Sequence, residues 1–181
     1  MVFYLLKEKA AGPQIEFVDL GLSVKWGNAN LGATNGDTAE SWYGNHYAWG
    51  EIETKNDYSN SNYKFGASRP FSKYDGDGKT VLESEDDIAS KTNSAWRMPT
   101  KEEFDELVAG TTNSWVTNYK GISGLNGRVF TGINGNTMFI PAAGFPFGSD
   151  FSGVGSDCYL WSSSLYLDDP SRAYYLYFNS D

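Results

Sequence analysis

The chain has 181 residues, a formal net charge of −9, and 16 % aromatic residues. That charge argues against nucleic-acid or anionic-membrane partners, and the length suits one domain with a substantial core. With 20 Gly and a mean hydropathy of −0.48, many short strands and long ordered loops are expected, rather than a helical bundle or disorder. Cys158 is the single cysteine, so no intramolecular disulfide can form and the redox compartment stays open. No run approaches the length of a transmembrane helix, and residues 2–6 are too short for a signal-peptide core. Residues 1–14 read as a leader remnant, a cloning scar or the end of an upstream linker, and residues 15–181 as the domain.

Residues 15–26 alternate and are apolar enough for a first strand pair or a strand bent at Gly21. Residues 27–43 are turn-rich and read as an ordered loop, and 47–50 as a short buried aromatic segment. Residues 51–79 show little periodicity, and a loop that long in a compact domain is functional or specially packed. Within it, Asp75-Gly76-Asp77-Gly78 invites a calcium reading. An EF-hand loop starting at Asp75 needs an oxygen ligand at the position of Lys79 and a Glu at that of Asp86, and has neither. A plain turn or a non-EF cation site remains. Residues 84–89 predict a short helix with Ser84 as its N-cap and acids in the first turn. A clearer helix follows Pro99. Thr100 and Glu103 form a capping box, Phe104, Leu107 and Val108 an apolar face, and Gly110 a stop. Residues 128–133 and 136–142 predict strands joined across Asn134-Gly135, the strongest hairpin signal in the chain.

The tail, residues 155–181, predicts two alternating strands around a loop at 166–172 broken by Pro170. In the second strand Ala173, Tyr175 and Tyr177 point one way and Tyr174, Leu176 and Phe178 the other. Tyrosines, an arginine and acids then share one sheet edge, and Tyr and Arg are the types found at the energetic centres of interfaces. The plain alternative is that the tyrosines merely cover a sheet face. Residues 145–181 contain no Lys, Glu, Gln or Met and one Trp, against 10, 10, 1, 3 and 6 in the whole chain. No codon for those five types ends in a pyrimidine, so the tail reads as drawn largely from pyrimidine-ending codons; strands and turns also disfavour Lys and Glu. The tail carries 1 basic and 5 acidic groups. Trp161, Ser162, Ser163, Ala173, Leu176 and Phe178 are expected to be scaffold, because a core needs large apolar and small residues. The ligand-binding surface is expected on Ser156, Asp157, Tyr159, Leu160, Tyr166, Leu167, Asp168, Ser171, Arg172, Tyr175, Tyr177 and Asn179. A site varies freely only where its side chains do not hold the fold.

Catalytic patterns are missing. The sole His46 lies in an aromatic context and reads as a hydrogen-bonded structural residue, and no nucleophile elbow exists to complete a triad. Residues 121–127 lack the Lys-Ser/Thr pair of a phosphate loop, and no Cys/His spacing suits zinc. Glu102, Glu103, Asp105 and Glu106 read as a solvated helix face. No catalytic residue, metal ligand or cofactor is therefore expected.

Six segments then occur in a telling order: VDLGLSVKWGNANLGA (18–33), WYGNHYAWGE (42–51), LESEDDIAS (82–90), WRMPTKEEFDEL (96–107), NGNTMFIPAAG (134–144) and YLWSSSLYLDDPSRAYYLYF (159–178). Over residues 15–181 the chain resembles gut-bacterial surface and phage proteins with a C-type-lectin-like fold. These are similar to the variable proteins of diversity-generating retroelements and distantly similar to formylglycine-generating enzymes. The resemblance implies an α+β, C-type-lectin-like fold with short antiparallel sheets, two short helices and long ordered loops. It implies a non-enzymatic receptor-recognition or adhesion domain, extracellular, on a cell surface or a phage virion. The partner would be an unknown protein or glycan on a cell surface, with no nucleic acid and no membrane insertion by this domain. In that class, adenine-directed mutagenesis rewrites Asn-type codons near the C-terminus into others with a pyrimidine in third position, in agreement with the tail composition. Two departures stand out. Family members continue past the position of Asp181 with a further strand, which leaves the strand pairing of residues 18–26 open. The sulfatase-modifying relatives use a cysteine pair where this chain has Cys158 alone, so their activity does not carry over. A structural tip or fibre subunit and an enzyme-derived fold with residual activity are the alternatives. Asp169-Pro170-Ser171 only partly echoes the calcium-dependent sugar motif, so no calcium-dependent monosaccharide binding is expected.

Overall fold

The structure, a computed structural model, describes residues 15–169 and 171–181; the expectations for residues 1–14 and for Pro170 lie outside the described residues. It is an α+β arrangement of three small sheets and three short helices. No helix among the described residues is long and apolar enough to cross a membrane.

The first segment forms a strand pair. β1 (Phe17–Val18) runs antiparallel to β2 (Trp26–Gly27), with Val18 opposite Trp26. The loop after it ends in one helical turn, α1 (Glu40–Tyr43), where the sequence suggests only loop. Trp42 is buried there, its indole N–H donating to the Gly36 carbonyl at 2.9 Å. Four residues offer too little periodicity to mark a helix.

The loop at 51–79 is specially packed. Phe65 and Tyr74 set their rings edge-to-face at 5.4 Å, Trp49 meets Tyr74 at 5.2 Å, and Leu82 and Leu165 complete this second core. Loop backbone cannot bury itself without partners, and carboxylates supply several of them. Asp75 accepts from Arg69 and from the Phe71 N–H, and Asp77 from the Tyr74 and Lys79 N–H groups. Residues 75–78 are thus turns whose acids are already hydrogen-bonded.

The helix expected at 84–89 is displaced. α2 spans Ile88–Thr92 and its cap is Asp87, which accepts from the Ala89 and Ser90 N–H groups. Ser84 is not the cap: residues 84–86 form a separate turn, with the Asp86 N–H donating to the Glu83 carbonyl at 2.9 Å, and the helix begins after Asp87. α3 (Lys101–Gly110) matches its signals, with the full Thr100–Glu103 capping box. Thr100→Ala should therefore lower stability by about 1 kcal/mol, the usual cost of a lost N-cap. A urea midpoint unmoved by this substitution would show the cap to be idle. Phe104 and Leu107 are buried, but Val108 is 48 % exposed, so the apolar stripe is narrower than expected.

α3 passes directly into β3 (Thr111–Val116), the edge of an antiparallel sheet with β4 (Gly127–Gly132) and β5 (Thr137–Pro141). The β4–β5 hairpin turns where expected, with Gly135 at φ 83°, a conformation that favours glycine. The third sheet holds β6 (Ala143–Phe147), β7 (Asp150–Val154), β8 (Cys158–Leu165) and β9 (Ala173–Phe178) in the order β7-β6-β8-β9. β6 meets β8 in parallel through Gly144 and Cys158. Gly144 has φ 68°, and a Cβ there would lie 2.3 Å from the Ser152 carbonyl oxygen, so no other residue fits. The main core lies between α3 and the two larger sheets: Leu20, Phe104, Leu107, Phe130, Met138, Ile140, Leu176 and Phe178 close on one another.

Candidate functional site: an aromatic sheet face on the C-terminal hairpin

β8 and β9 form a hairpin whose two faces differ in kind. Cys158, Leu176 and Phe178 are buried, and Leu160 packs against the same core. Leu160, one of the expected ligand-binding residues, is half-buried: the alternation puts it with Cys158 rather than with Tyr159, and it also lines the cleft beside the hairpin. On the other face stand Tyr159, Trp161, Tyr175 and Tyr177, between 36 % and 50 % exposed. Register brings them together: Tyr159 is opposite Tyr177 and Trp161 opposite Tyr175.

Trp161 corrects the expectation that placed it in the scaffold. Its three serine neighbours are the buried ones. The pairing with β9 shifts between Trp161 and Leu165, and there β8 leaves the hairpin to bind other segments. Trp49 Nε1 donates to the Ser162 carbonyl at 2.8 Å, the Ser163 N–H donates to Pro99 at 2.7 Å, and the Leu82 N–H donates to the Ser163 carbonyl at 2.8 Å. The Ser162 hydroxyl donates to the Tyr174 carbonyl at 2.9 Å. Small side chains let three loops approach one strand, and each of these buried polar groups finds a partner. The serines, Ala173, Leu176 and Phe178 act as the expected scaffold; Trp161 does not.

The exposed rings pack on one another. Tyr159 lies 4.8 Å from Tyr177, 5.6 Å from Tyr175 and 4.8 Å from Phe145 of β6, with rings inclined at 42–64°. Trp161 and Tyr175 meet at 5.7 Å with planes 88° apart. Asp157 sits at one end of this face and accepts from the Tyr177 hydroxyl at 2.9 Å and from the Ser156 hydroxyl at 2.6 Å. That hydrogen bond raises the Tyr177 pKa; burial, then the Asp157 charge, raises that of Tyr159. Both phenols keep their protons at neutral pH and remain donors.

The loop residues divide. Leu167 (62 % exposed), Asp168, Ser171 and Arg172 project to solvent, with Arg172 and the Ser171 hydroxyl both on Asp169. Tyr166 turns away to pack edge-on against Tyr174, above which lies Lys101 of α3. Asn179 is half-buried, and its carbonyl accepts from Arg128. Of the twelve expected residues, Tyr159, Tyr175, Tyr177, Asp157 and Ser156 thus gather at the aromatic face, and Ser171 and Arg172 reach its edge.

Tyr159, Trp161, Tyr175 and Arg172 also line a cleft of about 750 Å3 that continues between the hairpin and the loops at 43–63. His46 lines it too, with Nε2 3.2 Å from the Ala143 carbonyl and its ring edge-on to Phe151 at 5.0 Å. Burial lowers the His46 pKa, so the ring is neutral at pH 7. Burial pushes the Cys158 thiol up, so it stays protonated.

A second cluster lies apart from this face. The carboxylates of Glu83, Glu85 and Asp86 converge, and the Lys73 ammonium sits among them at 2.5, 2.7 and 2.5 Å. The centre that a cation would take is held by a side-chain ammonium. Sequence reasoning missed this arrangement because Lys73 is separated from the acids by the turn at 75–78.

In comparisons with known proteins, no family model matches this chain, and no curated protein or solved structure matches it either.

Proposed function

We propose that this chain is a non-enzymatic recognition domain with a C-type-lectin-like fold, whose C-terminal hairpin presents a changeable contact surface on a fixed scaffold. It belongs by this reading with the variable proteins of diversity-generating retroelements, and acts outside the cell, on a cell surface or a phage particle. The observation that carries it is the sorting of the β8–β9 hairpin. Side chains of one face close the core, while four large aromatics on the other meet solvent. Exposed clusters of Tyr and Trp mark binding surfaces in monomeric proteins. The outward tyrosines and their neighbours Ser156 and Asp157 are all encodable with a pyrimidine in third position. Three small sheets, few helices and a long loop with its own aromatic core are compatible with the fold.

Two pooled libraries test the reading. One places pyrimidine-ending codons at 159, 175 and 177, the other at 160, 176 and 178. Most members of the first should display as folded protein on yeast, and selections on cell-surface proteins and glycans should recover different members for different targets. Most members of the second should not fold. Equal folding losses in the two libraries would sink the separation of scaffold from surface, and the proposal with it.

A further inference from the structure

We propose that the cleft beside the hairpin is a binding site for a small neutral molecule, a flat ring system bearing a carbonyl, and that the Trp26 indole N–H is the donor that meets this carbonyl. The proposal does not rest on the recognition reading, since it concerns the interior of the cleft and not the exposed face.

The cavity has the size and the walls for such a ligand. At about 750 Å3 it falls within the range of small-molecule sites, which are mostly apolar with a few placed polar groups. Its buried walls include Trp26, Phe104, Met138, Phe139 and Ile140. Rings predominate there, and a flat ring system packs among them in offset or edge-to-face contacts.

The polar groups call for an acceptor. Four buried polar side chains border the cleft: Trp26, Trp49, Glu51 and Tyr74. Three of them are engaged. Trp49 donates to the Ser162 carbonyl, Glu51 accepts from Lys55 and from the Lys64 N–H, and the Tyr74 hydroxyl donates to Asp86. The Trp26 indole N–H has no acceptor among the described residues. Buried donors are rarely left unpaired, because water no longer satisfies them; an incoming carbonyl would remove that cost. The Trp26 ring stacks on Phe104 at 5.7 Å, and its nitrogen is covered, so the ligand must move a wall side chain aside. Met138 shares both the core cluster and the wall with Trp26, and an unbranched thioether shifts without moving the backbone.

Charge selects a neutral acceptor. Each charged side chain that borders the cleft already has its counter-ion. Lys55 is paired with Glu51, Lys73 with Glu83, Glu85 and Asp86, Arg97 with Glu103, and Arg172 with Asp169. A charged ligand would have to break one of these pairs or bury its charge uncompensated, and both are costly. A ketone, ester or amide carbonyl meets the Trp26 N–H without that penalty.

Three probes that share a naphthalene ring test this: acetylnaphthalene carries a ketone, naphthoate a carboxylate, and naphthalene neither. Each is titrated into the isotope-labelled full chain while the six tryptophan indole N–H resonances are followed. Acetylnaphthalene should bind about fivefold more tightly than naphthalene, the worth of one hydrogen bond gained, and naphthoate more weakly than the ketone. The Trp26 resonance, assigned through its contact with Phe104, should move further than the other five. In Trp26→Phe the ketone should lose its advantage while naphthalene still binds. If that variant does not fold, the Trp26 shift in the wild type decides by itself. Absence of saturable binding by both ketone and naphthalene would overturn the site, and so would shifts confined to Trp161, which would place the probes on the exposed face. A Trp26 resonance unmoved by bound ketone would overturn its role as donor. Naphthoate binding more tightly than the ketone would overturn the neutral ligand class.

Discussion

Alanine at Phe178 should cost about 3–5 kcal/mol, as large core truncations do; alanine at its neighbour Tyr177 should cost less than about 1 kcal/mol, as surface changes do. One step along β9 separates them. Phe178 lies 6.1 Å from Phe130 and 6.4 Å from Trp115, with the Arg128 guanidinium over its ring at 5.8 Å. Its removal would open a void in the main core, which the sheets on either side cannot close. Tyr177 gives up a solvent-exposed ring and one hydrogen bond to Asp157. Trp161→Ala should fall with Tyr177, near 1 kcal/mol, because its indole is partly solvated and its serine neighbours hold the strand. Urea denaturation of the three variants measures all of this. A Trp161 variant as unstable as the Phe178 variant would return Trp161 to the core.

Asp86→Ala should have the next largest effect, about 2–3 kcal/mol, because it removes a buried carboxylate that accepts several hydrogen bonds, while Lys73 keeps Glu83 and Glu85 as partners. Asp86 is 3 % exposed and accepts from Lys64, Lys73 and the Tyr74 hydroxyl, the last at 2.8 Å. Burial by itself raises the Asp86 pKa, but the hydrogen bonds from Lys64, Lys73 and Tyr74 outweigh it and hold the carboxyl below its usual range. A carboxylate with a depressed folded-state pKa stabilises fully above its unfolded pKa, near 3.9, and loses that contribution as pH falls through the folded value. The gap between wild type and Asp86→Ala should therefore be full at pH 5–7 and shrink below about pH 4. Urea midpoints measured across that range check the sign. A gap that widens in acid would mean that Asp86 is not ionised in the folded protein. The consequence for recognition is indirect but physical: Tyr74 and Lys73 organise the loop at 51–79, which faces the hairpin across the cleft.

Several elements are legible in the chain itself because their causes are local. The capping box at Thr100 and Glu103 needs only residues three apart, and it forms as expected. The Asn134-Gly135 turn supplies its own backbone conformation, and the period-two alternation of 173–178 correctly separates Tyr175 and Tyr177 from Leu176 and Phe178. The aromatic face on β9 thus follows from residue order alone. The pyrimidine-codon bias is equally a property of the amino-acid string.

Other assignments lie beyond it because their causes are distant. Which residue caps α2 depends on the path of the chain around it: residues 84–86 close their own turn onto Glu83, and Asp87, which also accepts from the distant Met98 N–H at 2.8 Å, takes the helix N–H groups. Val108 belongs to the apolar stripe by spacing, yet only packing decides how wide a stripe α3 buries. Trp161 is the sharpest case. The sequence places Trp161 in the scaffold together with Ser162 and Ser163. The structure keeps the serines there and not the tryptophan: Trp49, Leu82 and Pro99 converge on the serines, whose small side chains permit close backbone contact. The same alternation that turns Leu160 toward the core then turns Trp161 outward beside Tyr175. Local periodicity requires that adjacent residues face opposite ways; only the segments arriving from 49, 82 and 99 determine which way is in.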